Sequence, residues 1–159
     1  MEINILVDPA FEKDIEVSWL QSIARQVLVS QGTDATAELG LVITDQQRIQ
    51  ELNRNYLGHD EPTDVLAFQM LPGAEEGESE DPPFIAPPDG MLHLGEVIIS
   101  YPQAAIQAEE HRHSVKREVA ILTIHGVLHL LGYDHATPEQ QRQMSAEEAA
   151  VLSSVQDEM

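Results

Sequence analysis

Strand-like and helix-like hydrophobic patterns alternate along the first sixty residues, and this alternation limits the fold more than any other feature. Apolar and polar residues alternate from Ile3 to Val7, as in a half-buried strand. The apolar residues of 17–28 then recur with the period of a helix. A second strand is predicted at 39–43, followed by a second helix between Asp45 and Gly58, because aspartate caps helix starts and glycine ends helices. Such alternation is typical of layered α/β or α+β proteins.

The second half of the chain continues the pattern. One strand is predicted at 65–68, where a continuous apolar run favours burial on both faces, and another at 92–99. Helices are predicted to begin after Ser100, Ser114 and Thr137, which are N-cap residues. We therefore predict a single α/β (α+β) domain over residues 1–159, with a small mixed sheet of about four strands and about five helices.

Residues 71–90 interrupt this pattern with five prolines and six acidic side chains. The prolines, and the absence of a glycine-centred ligand pattern, favour a solvated loop over a calcium-binding loop.

The charge balance excludes several classes of function. The 159 residues include 8 Lys+Arg and 28 Asp+Glu, for a formal net charge of −20, which repels nucleic acid and anionic membranes at long range.

There is no cysteine, so disulfides and thiolate metal sites are excluded. No apolar stretch is long enough to span a membrane, and the N-terminus lacks the pattern of a signal peptide, so we expect a cytoplasmic protein with no membrane partner.

Three histidines form the most informative motif, with the spacing H-x3-H-x2-G-x2-H. His125 and His129 lie about one helical turn apart, so both imidazoles can reach one ion. His135 is too far along for the same helix face, but Gly132 can end the helix and allow the chain to fold back. The motif predicts one Zn2+ per chain at the end of a helix, with a fourth position left for water, which is typical of a hydrolase.

Metzincin proteases share this spacing, but they place a glutamate directly after the first histidine as general base. Here that position is Gly126, and Met144 fits core packing better than a Met-turn. The sequence therefore does not favour a peptidase function.

The histidine block, together with Asn53-x-x-Tyr56, Asp60-x-Pro62-Thr63-Asp64-Val65-Leu66 and Leu94-Gly95-Glu96-Val97-Ile98-Ile99-Ser100, resembles the YbeY family of bacterial endoribonucleases. The resemblance implies a small α/β fold, zinc held by His125, His129 and His135, and cleavage of single-stranded RNA. It further implies 16S rRNA 3′-end maturation and ribosome quality control, with the small ribosomal subunit as partner.

Three positions depart from the family pattern. Leu57 stands where the family usually has an arginine suited to a phosphate, and Ala67 and Glu96 replace its usual serine and aspartate. The missing cation and the net charge leave open an alternative, a non-catalytic ribosome-assembly factor with a structural or vestigial metal site. A protein partner could supply the affinity for RNA that the charge does not.

The sequence assigns no catalytic base. Asp64, Glu96 and Asp134 are candidates, and Asp134 is the preferred hydrogen-bond partner of a ligand histidine. The locally basic stretch 111–117 is either an RNA contact or an ordinary solvated helix start.

Overall fold

A computed structural model describes residues 1–33, 35–69, 92–133 and 136–155. The strands are β1 (Glu2–Val7), β2 (Ala37–Thr44), β3 (Val65–Gln69) and β4 (Leu92–Ser100). The helices are α1 (Val17–Ser30), α2 (Gln46–Leu57), α3 (Tyr101–His111), α4 (Val115–Leu130) and α5 (Pro138–Val155), and a short 3-10 turn covers Pro9–Phe11. Over these described ranges, the four strands and five α-helices confirm the predicted fold class.

The four strands form one mixed sheet in the order β1-β2-β4-β3. β1, β2 and β4 are parallel, whereas β3 runs antiparallel to β4, with Val65 opposite Ile99 and Phe68 opposite Glu96. β3 therefore forms one edge of the sheet.

The two faces of the sheet are covered unequally. α1 and α4 bury one face, where Leu39, Leu41 and Val97 belong to the main core. On the other face, α2 packs its buried Ile49 mainly against Leu66 of β3 and Ile98 of β4, with Val42 of β2 at the border of this cluster. The β1 side of that second face is more open, and Leu6 there is 67% exposed.

Local sequence signals explain the helix ends. Asp45 caps α2 by accepting a hydrogen bond from the backbone N–H of Arg48 at 2.7 Å, and Gly58 ends that helix at φ 76°. Thr137 and Gln140 form the reciprocal capping box at the start of α5. These predictions are confirmed.

The prediction that β3 is buried on both faces is wrong. Leu66 is buried, but its neighbours are only half-buried and Gln69 is exposed. A continuous apolar run is typical of central parallel strands. β3 instead lies at the edge of the sheet, where α2 packs against one of its faces and α4 against the other, and neither face is completely buried.

The predicted loop at 71–90, together with Asp134 and His135, lies outside the described residues. Among the helices that the structure describes, none has the length and apolar character needed to cross a membrane.

Candidate active site

His125 and His129 lie one turn apart on α4, and their rings face each other. Their Nε2 atoms are 3.2 Å apart, and the rings meet edge to face with centroids 4.6 Å apart. Two nitrogen ligands of a tetrahedral zinc ion, each about 2.0–2.1 Å from the metal, are separated by about 3.3 Å. The two imidazoles therefore already have the separation that a shared metal ion requires.

Glu148, on α5, holds the other side of the His125 ring. Its Oε1 lies 2.7 Å from His125 Nδ1. An Nδ1–H that donates to this carboxylate leaves Nε2 of the neutral ring with its lone pair, which is the form that binds a metal. This contact supports His125 as a ligand.

Sequence reasoning missed Glu148. The expected hydrogen-bond partner, Asp134, was preferred because it adjoins a histidine of the motif. Glu148 lies 23 residues from His125, and only the packing of α5 against α4 brings the two side chains together. The glutamate-rich surface of α5 contains no local signal that singles it out.

The two histidines open onto a cleft of about 590 Å³ at the edge of the sheet. Its walls come from α2, the segment before β3, β3 itself and the end of α4. The lining residues are Leu57, Thr63, Asp64, Val65, Leu66, Ala67, Gln69, His125, Gly126, His129, Gly132 and Tyr133. This is the place where a substrate can reach a metal held by the histidines.

Two of the candidate bases from the sequence lie in different places. Asp64 lines the cleft, where its Oδ1 accepts a hydrogen bond from the backbone N–H of Val65 at 2.8 Å. Glu96 lies on the opposite face of the sheet, away from the histidines, in a cavity beside α2. Asp134 is outside the described residues.

Gly126 is required by close packing. A Cβ built at this position would lie 2.5 Å from Val97 Cγ1 and 3.1 Å from its Cγ2. The residue after the first histidine thus faces the sheet, so no longer side chain fits there while α4 keeps its position. This agrees with the absence of a metzincin-type glutamate.

The end of α4 follows the expected break. Gly132 has φ 102°, a conformation that favours glycine, and Tyr133 donates a hydrogen bond from its hydroxyl to Gln31 Oε1 at 2.7 Å. Burial, and then the charge of Glu147, raises the pKa of Tyr133 above its ordinary value. The hydrogen bond from Tyr133 thus fixes the end of α4 to the end of α1.

The sequence model of one protein family, Endoribonuclease YbeY, matches residues 8–156. The chain belongs to the YbeY family.

Several family members named Endoribonuclease YbeY match nearly the whole chain. A protein of Dehalococcoides mccartyi (strain CBDB1) is 48% identical over 99% of this chain and 95% of its own length. One from Moorella thermoacetica is 42% identical, over 87% of this chain and 86% of its own length. The solution structure of TM1509 from Thermotoga maritima has a similar fold, with a TM-score of 0.59 at 21% identity, and the match covers 98% of this chain and 93% of that one. The family resemblance stated from the sequence is confirmed.

Leu57, where the YbeY pattern usually has arginine, lies at the end of α2 and lines the histidine cleft. Its side chain is 51% exposed. Leu57 therefore brings an apolar side chain, and no charge, to this wall of the cleft.

A second group of potential metal ligands lies near the start of α4. Donor atoms of His111, His113 and Glu118 all lie within 4.8 Å of one another, and the three could hold a metal ion. In this structure, the buried Glu118 accepts hydrogen bonds from His113 Nε2 at 2.6 Å, from Gln107 Nε2 at 3.0 Å and from His111 Nδ1 at 3.1 Å. Seven residues of helix, about 10 Å of rise, separate Glu118 from His125, so this group is not part of the cleft.

This second group also changes the interpretation of the basic stretch at 111–117. His111 and His113 both hydrogen-bond to Glu118, although the His111 side chain stays 56% exposed, and Lys116 Nζ lies 4.8 Å above the Trp19 ring. Three side chains of the stretch therefore contact other parts of the domain.

Proposed function

We propose that this chain is a zinc-dependent endoribonuclease that cleaves single-stranded RNA at the histidine cleft. The substrate is ribosomal RNA of the small subunit during 16S 3′-end maturation and quality control, in the cytoplasm. Membership of a family of endoribonucleases supports the reaction class. The facing Nε2 atoms of His125 and His129, with Glu148 behind the first, are the observation that carries the proposal.

The proposed ligands are His125, His129 and His135, one Zn2+ per chain. The residues of the described part fit such an ion, because two neutral imidazoles are suitable donors and their separation matches tetrahedral coordination. A zinc ion in this environment would make water acidic enough to react at neutral pH and would offer positive charge to a phosphate.

The remaining cleft residues bind and position the substrate. Asp64 is the one carboxylate among the described residues that line the cleft, so we assign it the task of accepting a proton from the attacking water. Gln69 anchors β3 to the end of α4 by donating from Nε2 to the backbone oxygen of His129 at 2.7 Å. This contact holds the cleft wall beside the second histidine.

The charge of the whole chain sets the conditions under which RNA can bind. A net charge of −20 makes long-range attraction of RNA unfavourable, and Leu57 supplies no local cation. Binding on the small ribosomal subunit, or with a protein partner, would raise the local RNA concentration and compensate for weak intrinsic affinity.

The proposal is tested by cleavage assays with the purified, metal-loaded protein on single-stranded RNA, duplex RNA and casein. We expect cleavage of the single strand only. His125→Ala, His129→Ala and His135→Ala should each abolish cleavage and lower bound zinc, whereas His111→Ala should keep both.

Two outcomes would contradict the proposal. Casein hydrolysis that follows the zinc content, without RNA cleavage, would indicate a protease. The protein could also be folded and contain zinc but cleave no RNA, even RNA on small-subunit particles. That result would favour the alternative of a non-catalytic assembly factor, which is relevant because position 57 is a leucine.

A further inference from the structure

A mostly apolar cavity lies on the open face of the sheet, beside α2. It has a volume of about 730 Å³, and its floor and walls are mostly apolar. The lining residues are Leu6, Val7, Asp8, Pro9, Val42, Ile43, Thr44, Arg48, Leu52, Tyr56, Phe68, Glu96 and Ile98. Nothing in the proposed hydrolytic site uses this cavity.

The cavity and the histidine cleft share two structural elements. At the end of α2, Tyr56 lines the cavity and the next residue, Leu57, lines the cleft. Along β3, Phe68 faces the cavity, whereas its neighbours Ala67 and Gln69 face the cleft, because strand side chains alternate between faces. Since β3 is the edge strand, the cavity and the histidine cleft lie on the two faces of the same strand.

Two aromatic rings stand at the entrance of the cavity. The rings of Tyr56 and Phe68 meet edge to face, with centroids 5.7 Å apart, and Tyr56 is 70% exposed. An exposed aromatic ring offers a flat apolar surface on which an unpaired nucleobase can stack.

Polar groups around the rings suit the rest of a nucleotide. Glu96 lies directly opposite Phe68 in the sheet register, so its carboxylate flanks the position of a stacked base and can accept hydrogen bonds from amino and imino groups. Arg48 also lines the cavity, and its ion pair with Glu51, at 3.8 Å on the exposed surface, is weak enough to be exchanged for a phosphate.

We propose that this cavity binds one base of the single-stranded RNA next to the cleaved bond, stacked on Tyr56 and Phe68 with its donor edge at Glu96. A base with adjacent amino and imino donors, such as guanine, satisfies both carboxylate oxygens, whereas uracil offers a single donor. The inference rests on the proposed function, since it places the substrate of that same active site.

The test compares variants of the metal-loaded protein on two short single-stranded RNAs that differ only in carrying guanine or uracil beside the cleaved bond. Tyr56→Ala should raise KM about tenfold and leave kcat within twofold, because stacking binds substrate and transition state alike. Tyr56→Phe should behave like the wild type. Ile106→Ala removes another large exposed apolar side chain, on α3, and serves as the matched control with unchanged kinetics.

Glu96→Gln tests the selection of the base. We expect it to lower the preference for guanine over uracil several-fold, with little change for the uracil substrate. Melting temperatures close to that of the wild type are expected for all variants, because both positions are exposed.

The results separate this inference from the function on which it rests. If the wild type cleaves RNA and Tyr56→Ala has the same KM, the proposed base site is wrong, whereas the proposed nuclease activity is supported. If the wild type cleaves nothing, fluorescence anisotropy of the labelled guanine RNA still decides the inference: about tenfold weaker binding by Tyr56→Ala supports it, and equal binding overturns it. In the latter case the apolar face serves another kind of partner.

Discussion

In the proposed site, a hydrogen bond from His125 Nδ1 to Glu148 would fix the histidine tautomer that binds a metal, so Glu148 should act on metal affinity. Removal of such a carboxylate commonly weakens metal binding by about 10- to 100-fold. We expect Glu148→Gln to raise the zinc dissociation constant by a factor in this range, as measured by competition with a chromophoric chelator. Glu110→Gln, an exposed glutamate on α3, is the matched control and should bind zinc like the wild type. Equal zinc affinity in the two variants would remove Glu148 from the site.

Leu57 offers a second prediction at a single residue. It lines the cleft and is half exposed, so an arginine can replace it without entering the core. One charge-assisted donor at a reacting phosphate is commonly worth about 3 kcal/mol, roughly a hundredfold in rate. Leu57→Arg should therefore speed single-turnover RNA cleavage by about tenfold or more, with a nearly unchanged melting temperature.

Leu57→Met is the control for this substitution, since it changes shape without adding charge, and its rate should match the wild type. An arginine variant that is no faster than the methionine variant would mean that the guanidinium does not reach the substrate from this position.

The close contact between α4 and β4 sets the position of the histidines at the scale of whole elements. Alanine in place of glycine inside a helix is normally favourable by about 1 kcal/mol. At Gly126 the new Cβ would collide with Val97, so we expect Gly126→Ala to reduce the free energy of unfolding by about 1–3 kcal/mol instead. Chemical denaturation measures this.

Val97→Ala makes room for the added methyl group. The loss of unfolding free energy in the double variant should therefore be smaller than the sum of the losses in the two single variants. Such coupling would show that the added methyl group collides with Val97. Strict additivity would mean that α4 and β4 adjust independently of this contact.

Glu118 connects the start of α4 to the end of α3, and it gives a pH-dependent prediction. Burial raises the pKa of this carboxyl, but hydrogen bonds from His111, His113 and Gln107 lower it by more, so the pKa lies below its ordinary value of 4.5. A carboxyl with a lowered folded pKa contributes stability above the unfolded value, and this contribution is lost as the pH falls through the folded pKa.

We therefore expect Glu118→Gln to be less stable than the wild type at pH 6–7, by about 1–3 kcal/mol, with the difference shrinking below about pH 4.5. Denaturation curves at several pH values measure this, and Glu109→Gln on the exposed side of α3 is the control. A difference that does not change with pH would show that the ionised carboxylate is not what stabilises the contact.

The signals that predicted the elements are local ones, which is why the helix ends agree well. Asp45, Gly58, Gly132 and the Thr137 capping box act within a few residues, so their patterns can be recognised in a sequence. The edge position of β3 depends on strand order, which no local pattern contains. The same limit applies to the site: the spacing of His125 and His129 was readable from the helical period, whereas Glu148 reaches His125 only through the packing of α5.

The molecule as a whole combines a strongly acidic chain with a site for an anionic substrate. The two proposed RNA-contacting regions lie on either side of the β3 edge, and Arg48 is the one Lys or Arg side chain among the described residues that line either of them. Recognition is therefore expected to depend on the metal and on base stacking more than on phosphate contacts. Such binding should depend less on salt than that of basic RNA-binding proteins.

Titration of metal-free protein with Zn2+, followed by cleavage of single-stranded RNA, tests the central claim most directly. We predict that activity rises in proportion to added zinc and stops rising at one equivalent per chain, in the wild type and in His113→Ala alike, while His129→Ala stays inactive at every zinc concentration. RNA cleavage by the metal-free protein, or by fully metal-loaded His129→Ala, would contradict the claim that the metal held at the histidine cleft carries the reaction.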